Sequence, residues 1–381
     1  MRVFFSTGEA SGDMLAASLA TAMRELAPDT TFAGIGNERM EAAGFALTER
    51  TTGWASLGPI EALRRIPPLF ASCIRHGFWL RGAPFDLVVL VDFGAFNLRL
   101  AWLLRFIGYR RPILYFVPPG AWFDVPKQAR AVARYTTPLI PFEHQRAFYE
   151  SLGLPAIFFG HPLVSLVAAR ERLAVAAPDG GTVAILPGSR GGEIERHMPL
   201  LLEAAKALRA RRPRVRFTVA AADSVSERLI EAELKRAFLP PYLAETRDGT
   251  AGTGFTIVRG ARAALDGADA AWIASGTAVL EAALREVPTV ALYVVSDAQI
   301  AIARRIWKRP YITLANILLE RETVPECLQD AATPPRLADE VGNLLDDPAA
   351  AIARLREVRR TLGEQNALSR SAAFALELAR T

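Results

Sequence analysis

Short apolar runs rich in β-branched and aromatic residues alternate with helical segments along this chain, and this alternation limits its fold more than any other feature. Nine runs have the length and composition of strands: 3–6, 87–91, 113–117, 156–159, 183–186, 217–220, 255–258, 271–273 and 289–293. Segments with helical spacing of apolar residues, such as 14–26, 198–209 and 278–285, lie between most of them. Because strands that alternate with helices pair in parallel through right-handed crossovers, the pattern predicts an α/β fold with parallel sheets.

The chain is long for one compact α/β domain, with 381 residues of which 51% are hydrophobic, so we predict two domains. A weakly patterned stretch rich in Ala, Pro and Gly, 174–181, separates two series of strands. We predict an N-terminal Rossmann-like domain over 1–168, a second one over 169–345 and a helical tail over 346–381. The two sheets are expected to face each other across a cleft that holds the ligands. The tail either packs back on the first domain or exchanges with a partner chain.

A formal net charge of +5 and a pI near 9.4 favour an anionic partner, such as a phosphate ligand or acidic lipid. Nucleic acid is the weakest alternative, because no nucleic-acid-binding motif accompanies the charge. The N-terminal segment lacks the pattern of a signal peptide, and arginines interrupt the longest apolar stretch, 98–122. We therefore expect neither export nor a membrane span. The two cysteines and four histidines match no metal-ligand spacing, so we predict no bound metal and structural roles for the histidines.

The first predicted strand ends in the hexapeptide Gly-Glu-Ala-Ser-Gly-Asp, residues 8–13, directly before a helix. Its glycines allow a tight turn and close approach of a ligand to the first amides of the helix. Glu9 and Ser11 are candidate catalytic residues of this loop. The alternative is a structural turn in which Ser11 or Asp13 caps the helix.

Asp92 follows the strand 87–91 directly. The carboxyl end of a parallel strand faces the ligand side of the sheet, where a carboxylate can remove a proton from an attacking hydroxyl. Asp92 is therefore our candidate general base. The alternative is that Asp92 caps the next helix or organises its loop.

The second domain begins with a strand, a glycine-rich turn and a helix, in which Gly188, Ser189 and Arg190 form the turn. Backbone amides in such a turn can cradle phosphate oxygens, and an arginine can clamp them with charge-assisted hydrogen bonds. A nucleoside diphosphate is the ligand that these groups suit. The alternative is an ordinary turn with a surface arginine.

A second strand-to-helix loop of the same kind contains Ser275, Gly276 and Thr277. Their hydroxyls and helix-start amides suit a diphosphate, and Glu281, about one turn into the helix, suits the hydroxyls of a ribose. The alternative is routine helix capping, which is less common for two such similar loops.

The region 54–80 combines apolar anchors with flanking arginines, as in segments that insert into a lipid headgroup layer. The candidate contacts to acyl chains or membrane are Trp54, Leu57, Ile60, Leu63, Ile66, Leu69 and Phe70. From the pattern alone, an amphipathic helix with its apolar face in the core is the stronger interpretation.

These blocks together resemble the lipid-A-disaccharide synthases, which are GT-B glycosyltransferases of family 19. The resemblance runs in order through 8–13, 91–92, 96–97, 141–143, 160–162, 186–190 with Glu193, 275–281, Asn316 and 324–329. It implies an inverting transfer of 2,3-diacylglucosamine from its UDP conjugate to the 6-hydroxyl of 2,3-diacylglucosamine 1-phosphate, lipid X. The products would be the β-1,6-linked lipid A disaccharide 1-phosphate and UDP.

The resemblance also implies roles for single positions. Asp92 matches an essential aspartate of the family, and Arg190 and Asn316 match positions important for nucleotide binding or turnover. The region from Trp54 matches the part of the family that meets acyl chains and the bilayer, which reverses the preference for a core helix there. The resemblance implies no organic cofactor, a peripheral location on the cytoplasmic face of the inner membrane, and a homodimer with exchanged C-terminal elements.

Four segments depart from the family's pattern: 36–37, 57–59, 117–123 and 314–316. Three of them lie in the first domain, which is expected to hold the acceptor, so the nucleotide side is better supported than the acceptor. The alternatives are another GT-B enzyme with a different glycolipid acceptor, a sugar-nucleotide epimerase, and a non-catalytic lipid-binding paralogue.

Overall fold

The computed structural model describes residues 1–52, 54, 59–119, 125–168, 179–237, 254–297, 299–301 and 309–381, with the backbone alone for 59–65. The chain divides into two compact units. The first contains Met1–Leu166 and Thr361–Thr381, and the second contains Val167–Arg360. The segment expected as a single helical tail, 346–381, is thus divided between the two units.

The first unit contains a seven-stranded parallel sheet with the order β3-β2-β1-β4-β5-β6-β7. Its strands are β1 (Arg2–Ser6), β2 (Thr31–Gly36), β3 (Ala46–Arg50), β4 (Leu87–Val91), β5 (Ile113–Phe116), β6 (Thr137–Ile140) and β7 (Ile157–Phe158). Its helices are α1 (Ala10–Leu26), α2 (Glu38–Ala42), α3 (Pro59–Gly82), α4 (Gly94–Phe106), α5 (Pro126–Tyr135), α6 (Glu143–Ser151) and α7 (Leu163–Leu166).

The second unit contains a six-stranded parallel sheet with the order β10-β9-β8-β11-β12-β13. Its strands are β8 (Thr182–Leu186), β9 (Arg216–Ala221), β10 (Phe255–Arg259), β11 (Ala270–Ala274), β12 (Thr289–Tyr293) and β13 (Glu326–Leu328). Its helices are α8 (Gly191–Arg211), α9 (Ser224–Ala237), α10 (Ala261–Asp266), α11 (Thr277–Leu284), α12 (Leu314–Leu319) and α13 (Pro334–Asp346), with a 3-10 turn at Gln329–Ala331.

Two helices complete the chain, α14 (Ala349–Thr361) and α15 (Ala367–Leu378). The last, α15, packs against α1, so the C-terminal segment of the chain completes the first unit. The backbone amide of His161 donates to the carbonyl of Leu362 (2.7 Å), and Ser165 Oγ accepts from the amide of Leu368 (3.0 Å). This part of the tail therefore returns to the first domain, as one of the two expectations had it.

The core of each unit lies where the central strands meet the helices on both faces. Every residue of β4 and of β11 is buried, as continuous apolar strands of a doubly covered sheet require. In the second unit the indole of Trp272 stacks on Phe217 and donates to the carbonyl of Leu337 (2.9 Å), which satisfies its buried N–H. The predicted fold class, two Rossmann-like parallel-sheet domains, is confirmed.

All nine predicted strands are present, with ends shifted by at most one residue. The nine predicted strands do not include β2, β3, β6 and β13, because none of these four segments is continuously apolar. Residues of β3 alternate between exposed and half-buried, β6 contains Pro138, and β13 has three residues. Among the described residues, no helix is both long enough and apolar enough to cross a bilayer.

Candidate functional site

The four candidate loops follow the strands at which the order of each sheet reverses. The reversal lies between β1 and β4 in the first sheet and between β8 and β11 in the second. Crossover connections leave these neighbouring strands toward opposite faces, which opens a crevice at their carboxyl ends. The sequence-predicted loops after all four strands therefore lie at the ligand-binding edges of the two sheets.

Gly8 brings the two loops of the first unit into contact. A Cβ atom at position 8 would overlap the aromatic ring of Phe93, so only glycine lets this ring lie against the loop that follows β1. The structure thus joins the loop of Glu9 and Ser11 to the loop of Asp92. Both Glu9 and Asp92 are half-buried.

The backbone at Asp92 is strained. Asp92 and Phe93 both adopt the left-handed conformation, with φ of 47° and 45°. Aspartate tolerates this conformation, whereas a bulky aromatic residue rarely adopts it, and each such residue costs about 1–3 kcal/mol. The carbonyl of Asp92 accepts hydrogen bonds from Asn97 Nδ2 and from the Tyr115 hydroxyl, both at 2.9 Å. These two bonds help to hold the strained turn.

Asn97 connects the ends of β1 and β4. Its Oδ1 accepts from Ser6 Oγ (2.7 Å), and its Nδ2 also lies 3.1 Å from the carbonyls of Ser6 and Val91. Burial, and then the neighbouring Asp92 carboxylate, raise the pKa of Tyr115 well above its usual value, so its hydroxyl stays protonated and able to donate. Sequence reasoning missed Tyr115, because nothing distinguishes it within a uniformly buried strand.

The expectation that Ser11 or Asp13 caps α1 is wrong. Glu9 is the N-cap residue of α1, and no side chain caps it. The buried Asp13 carboxylate instead accepts hydrogen bonds from the amides of Asn37 (2.7 Å) and Arg39 (2.9 Å) at the start of α2. Burial raises the pKa of Asp13 despite these bonds. Asp13 therefore fixes the neighbouring loop, and half-buried Ser11 remains a candidate without an assigned contact.

Trp54 lies beside the Asp92 loop. Its ring centroid is 5.0 Å from that of Phe96 and 6.0 Å from that of Phe93. An apolar surface thus adjoins the candidate base. The side chains of Leu57, Ile60 and Leu63 lie outside the described residues.

The helix α3 has one inward face and one outward apolar face. Its side chains at Cys73, His76 and Leu80 are buried, and Leu69 packs partly against the core. Large apolar side chains are exposed at every fourth residue, namely Ile66, Phe70, Ile74 and Phe78. Trp79 is also partly exposed, but its ring packs against the buried rings of Phe4 and Phe85. An amphipathic helix that only covers a core would have polar residues at these positions.

The neighbouring helix α4 continues this outward surface. Trp102 and Phe106 are 47% and 74% exposed and stack on each other, with ring centroids 5.2 Å apart. Among the described residues, seven of the ten large apolar side chains that are strongly exposed lie on α3 and α4, which pack together. Between positions 66 and 111 the sequence has six arginines and two aspartates. Two of these arginines are ion-paired, Arg75 with Glu49 and Arg111 with Asp86. The segment that carries this apolar surface therefore has an excess of arginine.

In the second unit, the side chain of Glu193, in the first turn of α8, binds the loop after β8. Its Oε2 accepts from the amides of Ser189 (3.2 Å) and Arg190 (3.4 Å), and its Oε1 lies 3.4 Å from Arg190 Nη1. Gly188 has φ of 121°, and a Cβ there would overlap the Glu193 side chain. Two amides that were expected to cradle phosphate are thus already bound to a carboxylate of the protein, which sequence reasoning did not foresee.

His197 ties this loop to the end of β12. Its Nε2 accepts from the amide of Val294 (3.0 Å), so its Nδ1 must carry the proton that it donates to the carbonyl of Pro187 (2.7 Å). Burial lowers the pKa of His197, opposed by the hydrogen bond to the carbonyl of Pro187 and by the charge of Glu193. The neutral ring is a structural bridge, in line with the predicted structural role.

The loop after β11 differs from the loop after β8. The N-cap of α11 is Gly276, and no side chain caps it. Ser275 and Thr277 flank this position and are half-buried. Buried Glu281 lies one turn farther along, with its Oε2 3.4 Å from Nε of Arg262. The helix-start amides of α11 therefore suit an anion better than those of α8 do.

Asn316 is fully buried at the start of α12. Its Oδ1 accepts from the amides of Thr323 (2.7 Å) and Val324 (2.8 Å), and its Nδ2 donates to the carbonyl of Val324 and to Glu326 Oε1, both at 2.8 Å. These bonds use the amide's two donors and both lone pairs of its oxygen. The predicted role of Asn316 in nucleotide binding stays a prediction, and the geometry favours an indirect form of it.

Two histidines of the first unit also have structural positions. His161 is buried, accepts at Nδ1 from the amide of Leu163 (3.2 Å) and packs on Phe142, and burial lowers its pKa to about 3. His76 donates from Nδ1 to the carbonyl of Ser72 (2.9 Å), and burial lowers its pKa as well. Within the described ranges, no group of three or more potential metal ligands gathers.

The whole chain has close relatives of known name. Residues 3–378 match the family described as Lipid-A-disaccharide synthetase. The chain is 36% identical over 392 residues to a lipid-A-disaccharide synthase of Myxococcus xanthus, covering 99% of this chain and 97% of the relative. It is 37% identical over 390 residues to the enzyme of the same name from Pseudomonas aeruginosa, covering 99% and 98%.

Solved structures with low sequence identity share the fold. They include Staphylococcus aureus MnaA with UDP (TM-score 0.64, 10% identity, 99% and 97% of the two chains) and Acinetobacter baumannii MurG (0.53, 14%, 99% and 99%). The calicheamicin glycosyltransferase CalG4 is similar to the same degree (0.55, 15%, 99% and 98%). These likenesses agree with a GT-B fold. With its sequence matched from end to end, the chain belongs to the lipid-A-disaccharide synthase family.

Proposed function

We propose that this protein is an inverting glycosyltransferase that transfers 2,3-diacylglucosamine from UDP-2,3-diacylglucosamine to lipid X, giving the β-1,6 lipid A disaccharide 1-phosphate and UDP. Family membership over nearly the full length supports the reaction. The observation that carries it in the structure is Asp92, held in a strained turn at the reversal point of the first sheet by Asn97 and Tyr115.

Asp92 acts as the general base. Its carboxylate accepts the proton of the acceptor's 6-hydroxyl while the hydroxyl oxygen bonds to the anomeric carbon of the donor. The bond between that carbon and the diphosphate breaks, and UDP leaves with the electron pair. Attack from the face opposite the diphosphate converts the α-linked donor into a β-linked product.

The donor's diphosphate binds at the start of α11. Ser275 and Thr277 supply hydroxyls, and the helix-start amides stabilise the negative charge that grows on the leaving UDP. Glu281 binds the ribose, with Arg262 holding its carboxylate. Gly188, Ser189 and Arg190 border the donor, with the arginine as the charged contact, because Glu193 already takes up two amides of that loop.

The outward faces of α3 and α4 lie on the cytoplasmic surface of the inner membrane. Their aromatic side chains insert among headgroups, and the surrounding arginines attract acidic lipid. Both substrates are acylated, so the protein meets them in the bilayer. Trp54, beside the Asp92 loop, contacts an acyl chain of the acceptor.

The test is a mass-spectrometric assay of both substrates with the wild type, Asp92→Asn and Asp86→Asn. Asp86 precedes β4 as Asp92 follows it, and it accepts from the amide of Arg2 (2.7 Å), so it is a matched control at the far end of the same strand. We expect Asp92→Asn to lower kcat by about 10²–10⁴-fold without weakening UDP binding, and Asp86→Asn to keep wild-type turnover.

Each other outcome of this assay identifies an alternative. UDP release without the disaccharide would show a different acceptor. Conversion of the UDP-sugar into its epimer would show an epimerase. Full activity of Asp92→Asn would show that Asp92 is not the general base.

A further inference from the structure

Glu326 gathers the hydrogen-bond donors at the start of α12. Its Oε1 accepts from the amide of Thr313 (2.9 Å), the hydroxyl of Thr313 (2.8 Å) and Nδ2 of Asn316 (2.8 Å). Its Oε2 lies 3.1 Å from the amide of Ile312. A carboxylate that accepts several hydrogen bonds holds the backbone firmly, because each charge-assisted hydrogen bond is stronger than a neutral one.

Asn316 closes this cluster from the other side. Its amide holds the backbone of Thr323 and Val324, which lead directly into β13 and Glu326. Asn316 and Thr313 are completely buried. A substrate could reach the Asn316 side chain only after these bonds had broken. A direct contact with the nucleotide would therefore require the hydrogen bonds of this cluster to be lost.

The cluster is connected to the donor loop through Ile312. The amide of Ile312 donates to Glu326, and its carbonyl accepts from the hydroxyl of Ser275 (3.3 Å). Ser275 directly precedes Gly276, the N-cap of α11. The backbone of Ile312 thus links the Glu326 carboxylate to the donor loop, through its amide on one side and its carbonyl on the other.

We propose that Glu326 and Asn316 are positioning residues that act as one unit, fixing Ile312 and through it Ser275 at the start of α11. The inference rests on the proposed placement of the donor's diphosphate at that loop. It assigns Glu326 a role in the reaction and makes the role of Asn316 indirect.

The variants Glu326→Gln and Asn316→Ala test this inference, alone and combined. Glutamine at 326 replaces one acceptor oxygen by an amino group that faces other donors, which releases Ile312 or Thr313. We expect each single variant to raise the Kd for UDP and the donor KM by about tenfold, with the acceptor KM unchanged. The double variant should be no worse than the more impaired single variant, because two parts of one unit are not additive.

Ser275→Ala and Glu322→Gln are the comparison variants. Ser275→Ala should reproduce the donor defect, and adding Glu326→Gln to it should change little. Glu322→Gln makes the same chemical change at an exposed position four residues before Glu326, and should leave all parameters at wild-type values. If Glu326→Gln does not fold, Glu326→Asp takes its place, since it keeps the carboxylate on a shorter arm.

UDP affinity by calorimetry, the two KM values and a thermal melt decide the result. Wild-type UDP affinity in Glu326→Gln, with Ser275→Ala impaired, would overturn the inference and leave the proposed donor loop standing. Wild-type UDP affinity in Ser275→Ala would contradict both this inference and the proposed placement of the diphosphate at the start of α11. An equal rise in donor and acceptor KM, or fully additive losses in the double variant, would show general loosening and also overturn the inference.

Discussion

At the scale of single residues, the first unit places a strained backbone next to its candidate base. The left-handed conformations of Asp92 and Phe93 persist because Asn97 and Tyr115 bind the Asp92 carbonyl and because Gly8 leaves room for the Phe93 ring. Strain of this kind is tolerated where the surrounding structure over-determines it. The proposed chemistry therefore depends on residues that do not themselves touch substrate.

Gly8→Ala tests this dependence. The added methyl group would displace the Phe93 ring and with it the Asp92 turn, so we expect kcat to fall by about tenfold and stability by about 1–3 kcal/mol. Gly82→Ala is the control, since a Cβ at the last position of α3 meets nothing within 4 Å. Steady-state kinetics and thermal melts of both variants give the comparison. Equal activity of the two would show that the contact of Gly8 with Phe93 has no bearing on turnover.

The sequence identified Asp92 from its position after an apolar strand, but it did not identify the groups that hold it. Tyr115 lies 23 positions away in the chain and Ser6 bonds to Asn97 across 91 positions. Neither separation leaves a local pattern. Asp13 illustrates the same limit, because its position suggested a cap for α1 while its partners belong to α2.

At the scale of secondary-structure elements, internal carboxylates distinguish helix starts that are alike in sequence. Glu193 binds amides at the start of α8, Asp13 at the start of α2 and Glu326 at the start of α12. The N-caps of α8 and α11 both follow a strand and a turn, yet α8 receives a carboxylate from its own first turn. This difference is why we propose the donor's diphosphate at the start of α11 rather than at α8.

The outward faces of α3 and α4 give a second element-scale prediction. Replacing Phe70 and Phe78, or Trp102 and Phe106, by serine should lower binding to vesicles containing acidic lipid by at least about tenfold, because each pair removes aromatic anchors from the interface. Activity on substrates dispersed in detergent should change less. Val225→Ser on α9, an exposed apolar residue of the second unit, is the control.

Vesicle sedimentation measures this effect. Loss of binding in the α3 pair alone would confine the membrane contact to α3. Unchanged binding in both pairs would contradict a membrane role for this surface.

At the scale of the whole molecule, buried neutral histidines make stability depend on pH. Burial lowers the pKa of His76, His161 and His197, so the folded state disfavours their protonated forms. A lowered histidine pKa contributes stability that is complete above the unfolded value near 6.5 and is lost as pH falls toward the folded value. For His161, with a folded pKa of about 3, the loss at pH 5 is on the order of 2 kcal/mol.

His161→Asn tests this assignment, because an asparagine oxygen can replace Nδ1 as acceptor for the amide of Leu163. The variant should be less stable than wild type at pH 8, since it loses the ring contact with Phe142, yet its stability should fall less between pH 7 and 5. Thermal melts across that range measure both effects. A parallel pH dependence in the two proteins would exclude His161 as the source.

The sequence by itself determined the fold class and the loops at which chemistry is proposed. Alternation of apolar strands with helices sets parallel pairing, and residues that directly follow β1, β4, β8 and β11 must lie at the carboxyl edges of the sheets. Both follow from periodicity and order along the chain, which are local properties. The tertiary structure alone decided that Glu193 takes up the amides after β8, that Asn316 is enclosed by Glu326 and the backbone of Thr323 and Val324, and that α15 completes the first unit. These outcomes depend on contacts that form only in the folded chain, and no local sequence pattern predicts which side chains make them.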